Sequence, residues 1–284
     1  MSGPRWLTIT ALLVVWLVWG STYYAIRVSL EGFPPFGMAS VRLCIAGAIL
    51  LIWARLRGHP WPERRPLLLV SAAGVLNFLA GNGSVVWAEQ TVSSGLVAIL
   101  VGVVPVYTAA MGPFFGAPVT GRQWGGIALG VLGIVVLNAG GALTGGIGVT
   151  VALTIGSISW AFGSMIAKAN PLTSGAMTSG VQMLTGGIAL AIAAAATHEA
   201  VPTDPPLRAV LAVLYLITFG SILAFSAYSY LLKHATIAVA TSYAYVNPVV
   251  AVLIGVAIGN EHLGPSGWAG LAIIVAAVGL VLRK

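Results

Sequence analysis

Long stretches without a charged residue run through almost the whole chain, and they limit its possible folds severely. A helix needs about 20 apolar residues to cross the ~30 Å hydrocarbon core of a bilayer. Stretches of at least that length, with Arg42 as an interruption in the second, are 6–26, 32–54, 66–88, 90–121, 123–167, 169–198, 209–232, 234–260 and 262–282. Only 7% of the residues are charged, against about 25% in soluble domains. Because a helix satisfies its own backbone in lipid, the sequence predicts an all-α integral membrane protein.

The stretch 123–167 is too long for a single span. Glycines interrupt its apolar pattern at Gly140, Gly141, Gly145 and Gly146, and such a cluster favours a turn. Dividing the stretch at this turn gives ten predicted transmembrane helices, five on each side of it.

The positive charges predict the orientation of these helices. With the amino terminus inside, Lys and Arg collect in the inner loops, and only Arg27 and Arg208 lie in outer loops. Short cytoplasmic loops carry this excess of Lys and Arg in membrane proteins. We therefore expect a multi-pass protein with both termini in the cytoplasm, in which the formal net charge of +7 reflects topology and requires no nucleic-acid partner.

Two short motifs occur twice, once in each half of the chain. Trp19-Gly20-Ser21 returns as Phe162-Gly163-Ser164, and Val103-Val104-Pro105-Val106 returns as Val246-Asn247-Pro248-Val249. We interpret residues 1–141 and 142–284 as two repeats. Because each repeat contains an odd number of predicted spans, the second lies inverted relative to the first, as in many secondary transporters. Gene duplication also leaves repeats in non-transporting scaffolds or subunits of larger membrane complexes, so that alternative stays open.

The residues that recur also resemble a known family. Trp19-Gly20-Ser21-Thr22, Arg42, Pro105, the segment 156–164 and the segment 240–252 are similar to EamA-type transporters of the drug/metabolite transporter superfamily, and among them to the YedA-like exporters. The resemblance implies ten helices in two inverted five-helix EamA repeats in the bacterial inner membrane. It also implies a central cavity that carries amino acids, related metabolites or drug-like cations outward, in a monomer or homodimer.

The chain departs from the family pattern at one acidic position. Many EamA repeats carry a Glu in the loop after the proline-containing helix of both halves. Glu261 fills that position in the second half, whereas the first half has Ala117-Pro118. A mechanism that requires a symmetric pair of acids is therefore in doubt for this chain.

Aromatic and polar residues inside the predicted spans are candidates for the lining of a substrate cavity. Trp16, Trp19 and Tyr23 share one face of the first helix, because residues at i, i+3 and i+7 lie on the same side. Aromatic faces can hold an aromatic side chain or a cation. The full set of candidates is Trp16, Trp19, Tyr23, Asn82, Ser157, Trp160, Ser164, Tyr228, Ser242, Tyr245 and Asn247. For each of them, ordinary helix packing or an interfacial position is the competing interpretation.

Two prolines are candidates for hinges, and Arg42, Glu89 and Glu261 are candidates for a gate. Pro105 and Pro248 fall inside predicted helices, where proline removes a backbone hydrogen bond, and we interpret them as paired hinges. Arg42 lies inside the second span, where a charge is costly and often functional. We expect it to pair with Glu31, Glu89 or Glu261 and so to close an outer gate, although an arginine that reaches the interface or binds carbonyl groups is an equal alternative.

Signals of an enzyme are missing from the sequence. There is no cluster of His, Cys and Asp at metal-ligand spacing, no glycine-rich phosphate loop and no nucleophile beside a base. We therefore expect no catalysis, no cofactor and no bound metal, and we expect only a small-molecule substrate and the lipid bilayer as partners.

Overall fold

The computed structural model describes residues 4–115, 120–139, 146–235 and 243–282. In these ranges the chain is helical, without a strand. We number the helices α1 Arg5–Ser29, α2 Pro35–Leu56, α3 Arg64–Ala88, α4 Ser94–Ala110, α5 Gly121–Ala139, α6 Gly146–Ala169, α7 Gly175–Ala196, α8 Leu207–Leu231, α9 Tyr243–Ala257 and α10 Pro265–Leu282. The α8 helix continues to His234.

Six of the described helices, α1, α2, α3, α6, α7 and α8, are long and apolar enough to cross a membrane, whereas α4, α5, α9 and α10 are apolar but shorter. The all-helical class predicted from the charge-free stretches is confirmed. The predicted glycine turn at residues 140–145 lies outside the described residues. Gly146, which begins α6, has a positive φ of 69° that glycine adopts without strain.

Local sequence signals explain where several helices begin. Thr120 and Gln123 form a capping box at the start of α5, because each backbone N–H donates to the other residue's side chain, at 2.9 Å and 3.3 Å. At the start of α7, the Ser174 hydroxyl accepts from the Met177 N–H at 3.1 Å. Pro35 is the first residue of α2, a position where the missing N–H costs nothing.

Helices at equivalent positions of the two halves pack against each other. The second helix of the first half, α2, lies along α7, and α5 lies along α10. The first and third helices pack on helices of the opposite half, because α1 contacts α8 and α9, and α3 contacts α6 and α7. The halves therefore share one interface along most of their length.

Glycines allow α3 and α6 to approach closely. A Cβ atom on Gly156 would lie 2.1 Å from Ser84 Oγ, and one on Gly163 would lie 2.2 Å from Asn77 Oδ1. Helices in lipid have no hydrophobic driving force for association, so small residues at such crossings stabilise the pair by allowing tight packing. Gly163 of the second repeated motif therefore serves the close packing of α3 and α6.

Three of the helices in the described ranges depart from regular α geometry. Val75–Asn82 in α3 and Leu216–Leu223 in α8 are π-helical, and α4 is interrupted at Gly102 and Val103. The wide turn of a π-helix is rare and frequently occurs at functional sites. The two π-helical stretches lie in the third helix of each half, so they are related by the internal repeat.

One end of the bundle collects all the acidic residues except Glu63, and we call it the acidic end. It contains the connections α1–α2, α3–α4, α7–α8 and α9–α10. Glu199 accepts from the N–H groups of Phe36 and Gly37 at 3.0 Å and 2.7 Å, and Arg208 forms an ion pair with Glu31. Carboxylates at this end therefore bind the exposed N–H groups of a helix start, which favour negative charge.

Candidate functional site

A cavity of about 110 Å³ lies between helices of both halves. Helices α1 to α4 contribute one part of its wall, and α6, α8 and α9 contribute the other. The lining residues are Trp19, Thr22, Tyr23, Ile26, Arg42, Phe78, Gly81, Asn82, Val85, Ala98, Val101, Gly102, Val104, Gly156, Ser157, Trp160, Phe225, Tyr243, Asn247 and Pro248. The first π-helical stretch borders this cavity through Phe78, Gly81 and Asn82, and the second one holds two side chains of the wall.

The cavity brings together some of the candidates named from the sequence but not all. Trp19, Tyr23, Asn82, Ser157, Trp160 and Asn247 line it. Tyr228 lies behind the wall, and Trp16 and Ser164 do not line it. Trp16 lies one turn before Trp19, and the cavity follows α1 only from Trp19 to Ile26. Ser242 and the side chain of Tyr245 lie outside the described residues.

An aromatic cluster forms one wall of the cavity around Trp19. Its ring centroid lies 5.0 Å from Phe225, 5.2 Å from Tyr228 and 4.9 Å from Tyr243. The edge-to-face arrangement with Phe225 and Tyr243 is the geometry that aromatic quadrupoles prefer. Because the rings support one another, the wall has a fixed apolar shape.

The π-helical stretch of α8 holds two cavity side chains from the first half. The indole N–H of Trp19 donates to the Gly220 carbonyl at 3.1 Å, and Arg42 Nε donates to Ser221 Oγ at 3.0 Å. Both bonds are buried. They fix the orientation of Trp19 and Arg42 relative to the second half.

Three polar atoms of the cavity wall have no hydrogen-bond partner among the described residues. They are Arg42 Nη1, Asn82 Oδ1 and Ser157 Oγ. Buried polar atoms are normally paired, and each unpaired one costs about 1–3 kcal/mol. The residues that line the cavity therefore place unpaired polar atoms beside it.

The structure changes the interpretation of one predicted hinge. Pro105 does not lie inside a continuous helix; it is in the first turn of a helical segment that restarts at Val104 after the interruption of α4. Its missing N–H is unpaired at such a position in any case. Pro248 does lie inside α9. A Cβ atom on Gly102 would lie 2.6 Å from Pro248 Cγ, so the interruption in α4 and the proline of α9 are in contact.

The structure does not bring the three gate candidates together as an ion pair. Among the described residues, Arg42 has no carboxylate within 4.0 Å and is bonded to Ser221 instead. Glu261 accepts from the Ser94 N–H at 2.9 Å, the Ser94 hydroxyl at 2.7 Å and the Gly95 N–H at 3.1 Å. Glu89 is fully buried, and the Arg27 guanidinium donates to its backbone carbonyl. Among the described residues Arg42 therefore forms no ion pair with Glu31, Glu89 or Glu261, Glu261 caps the start of α4, and the outer gate stays a prediction.

Sequence reasoning missed Thr22, Phe78, Phe225 and Tyr243, which all line the cavity. Thr22 and Tyr243 had a usable signal, since Thr22 belongs to the family-like motif 19–22 and Tyr243 to the segment 240–252. Phe78 and Phe225 resemble any apolar residue of a membrane helix. Only the packing of α3 and α8 reveals them.

Comparison with known proteins identifies the family. The EamA-like transporter family matches residues 6–139 and 146–283. The chain belongs to the EamA-like transporter family. The resemblance seen in its motifs is thereby confirmed, and the two matched ranges show that EamA repeats follow one another along the chain.

Two similar proteins are named as a transporter and an exporter. This EamA-family chain is 46% identical to the uncharacterized inner membrane transporter YedA of Escherichia coli strain K12, over 95% of this chain and 89% of that protein. It is 26% identical to a Streptantibioticus cattleyicolor protein named "Probable terminal-alkyne amino-acid exporter", over 96% and 93% of the two chains. A solved crystal structure shares the EamA-family chain's fold with a TM-score of 0.69 and 16% identity, over 98% of this chain and 96% of the other.

Proposed function

We propose that this EamA-family protein exports small organic solutes, such as amino acids, related metabolites or drug-like cations, across the bacterial inner membrane. The observation that carries the proposal is the position of the cavity. It lies between the two halves and is lined by residues of both. A site at the interface of two repeats is the usual arrangement in secondary transporters, and the relatives are named as transporters.

The proposal includes ten membrane-spanning helices in two inverted halves, 1–141 and 142–284. Because the basic loops are expected in the cytoplasm, the acidic end faces the outside and both termini face the inside. The short helices α4 and α9 are then the spans that meet at Gly102 and Pro248, and we retain the proline-containing segments as the proposed hinges.

Alternating access accounts for the size of the cavity. At about 110 Å³ it holds water or a small solute, whereas pockets for small molecules usually measure about 300–1,000 Å³. A larger solute enters only when the helices around the cavity separate. The interruption in α4 and the proline in α9 supply flexible points next to the cavity for such a movement.

Counterflow in proteoliposomes tests the proposal. Vesicles are loaded with one unlabelled solute from a panel of amino acids, amines and cationic dyes, and uptake of the same labelled solute is followed with and without a pH gradient. A transporter produces transient accumulation that saturates with concentration and is absent from protein-free vesicles.

The same experiment distinguishes the competing functions. Flux that does not saturate and shows no counterflow indicates a passive channel. No exchange of any panel solute by a preparation that remains monodisperse and helical contradicts the transport proposal and favours a scaffold or a subunit of a larger complex.

A further inference from the structure

We propose that Arg42 is a carboxylate-binding site inside the cavity, so that the transported solute carries a carboxylate group. This inference rests on the proposed function and narrows it to acids and amino acids, excluding solutes that are only cationic. The supporting observations are the burial, the anchoring and the unpaired nitrogen of Arg42.

Arg42 is a charged group that the protein itself leaves incompletely paired. Its side chain is 5% exposed and lines the cavity. The Nε atom is bonded to Ser221, while Nη1 has no partner among the described residues. A buried guanidinium with an unpaired nitrogen is costly, and a solute carboxylate in the cavity would remove that cost.

The geometry of a guanidinium suits this ligand. Its planar N–H donors match the two oxygens of a carboxylate and bind them in parallel. Because Ser221 occupies Nε, Nη1 with its two N–H donors remains for the solute. The bond to Ser221 also fixes the plane of the guanidinium, which lowers the entropy lost on binding.

The rest of the cavity fits the other parts of an amino acid. The oxygen atoms Asn82 Oδ1 and Ser157 Oγ are unpaired and can accept hydrogen bonds from an ammonium group. The aromatic cluster around Trp19 offers apolar and cation-attracting faces to a side chain or an ammonium group. Arg42 is thus the part of the wall that requires an anion.

Glu89 is the nearby residue that could compete for Arg42. It lies within electrostatic range of Arg42, but both of its carboxylate oxygens lack a hydrogen-bond partner among the described residues, and no ion pair joins the two side chains. Glu261 is already bonded to Ser94 and Gly95. Arg42 is therefore not neutralised by direct contact with either acid.

The test compares three probes that share one apolar body. L-Phenylalanine has a carboxylate and an amine, 3-phenylpropionate has only the carboxylate, and phenethylamine has only the amine. L-Leucine, 4-methylpentanoate and 3-methylbutylamine form a smaller series. Binding to the full-length protein in detergent is measured from the rise in its melting temperature with probe concentration. We expect the carboxylate-bearing probes to bind at least about tenfold more tightly than the amines.

Variants assign this preference to Arg42. Arg42→Gln should weaken binding of the carboxylate-bearing probes about 10–100-fold and leave the amines unchanged or strengthened. Arg42→Lys, which keeps the charge but loses the planar fork, should be intermediate. Arg208→Gln removes an arginine at the acidic end that does not line the cavity and should change nothing. Glu89→Gln should not weaken binding of the carboxylate-bearing probes, because Glu89 makes no direct contact with Arg42.

The outcomes separate this inference from the transport proposal. If the amines bind as tightly as the acids in the unaltered protein, the carboxylate site is wrong, and this result does not depend on the folding of any variant. Counterflow of cationic dyes without binding of any acid contradicts it equally, while leaving transport intact. A loss of acid binding in Glu89→Gln as large as that in Arg42→Gln would instead identify a structural pair and overturn the site. Absence of counterflow for every solute removes the transport proposal itself.

Discussion

Trp19 is the side chain that connects the cavity to the second half of the protein. Its indole N–H is bonded to the carbonyl of Gly220, and its ring packs on Phe225, Tyr228 and Tyr243. A tryptophan can do both because one end of its ring system is a donor and the rest is apolar. The same residue therefore contributes to the cavity wall and to the contact between the halves.

Replacing Trp19 should lower stability in two steps. Trp19→Phe keeps an aromatic ring but loses the hydrogen bond to the Gly220 carbonyl, which should cost about 0.5–1.5 kcal/mol. Trp19→Ala also removes the ring contacts and should cost about 3–5 kcal/mol. Thermal unfolding in detergent measures both changes. Trp124→Phe, at a residue that is 60% exposed, is the control, and an equal loss in that variant would show that the Gly220 bond is not responsible.

At the scale of helices, the sequence predicted where apolar helices lie but not how their geometry varies. Charge-free stretches mark membrane helices because charge is costly in lipid. The π-helical stretches Val75–Asn82 and Leu216–Leu223 have no such signal, since their composition is that of ordinary apolar helix. The bond between Arg42 and Ser221 was therefore not predictable, because Ser221 lies in one of these stretches on a distant helix. Trp19 and Tyr23 were predictable because helical spacing places them on one face.

The crossing of α3 and α6 gives a prediction at this scale. A methyl group on Gly163 would lie 2.9 Å from the Ala73 carbonyl oxygen as well as 2.2 Å from Asn77 Oδ1, so Gly163→Ala should force the helices apart at a cost of about 1–3 kcal/mol. Gly148→Ala on the same helix is the control, because no atom lies within 4 Å of the added methyl. Its melting temperature should not fall, since alanine favours helix more than glycine does. Equal losses in the two variants would rule out the crossing as the cause.

At the scale of the whole molecule, carboxylates of the second half join the two halves at the acidic end. Glu261 caps the start of α4 and Glu199 caps the start of α2. The first-half acid Glu31 instead forms an ion pair with the side chain of Arg208 near the start of α8, and Ala117-Pro118 stands where the first-half counterpart of Glu261 would be. The repeat is therefore symmetric in its helices but asymmetric in the charges that connect them. An alternating-access cycle that opens this end must break the contacts of Glu261.

Glu261→Gln tests whether these contacts keep the acidic end closed. The amide cannot reproduce charge-assisted bonds to the N-terminus of α4, and such bonds are about twice as strong as neutral ones. We expect the variant to open more often at this end.

The probe is a cysteine at Ala98, a cavity-lining residue that is 1% exposed, in a Cys44→Ala background that has no other thiol. A water-soluble maleimide should label it about tenfold faster in the variant, since ~1.4 kcal/mol shifts a population tenfold. Glu63→Gln is the control, because it alters the acid at the opposite end and should leave the labelling rate unchanged. If the labelling rate is also unchanged in Glu261→Gln, closure of the acidic end depends on apolar packing between α4 and α9.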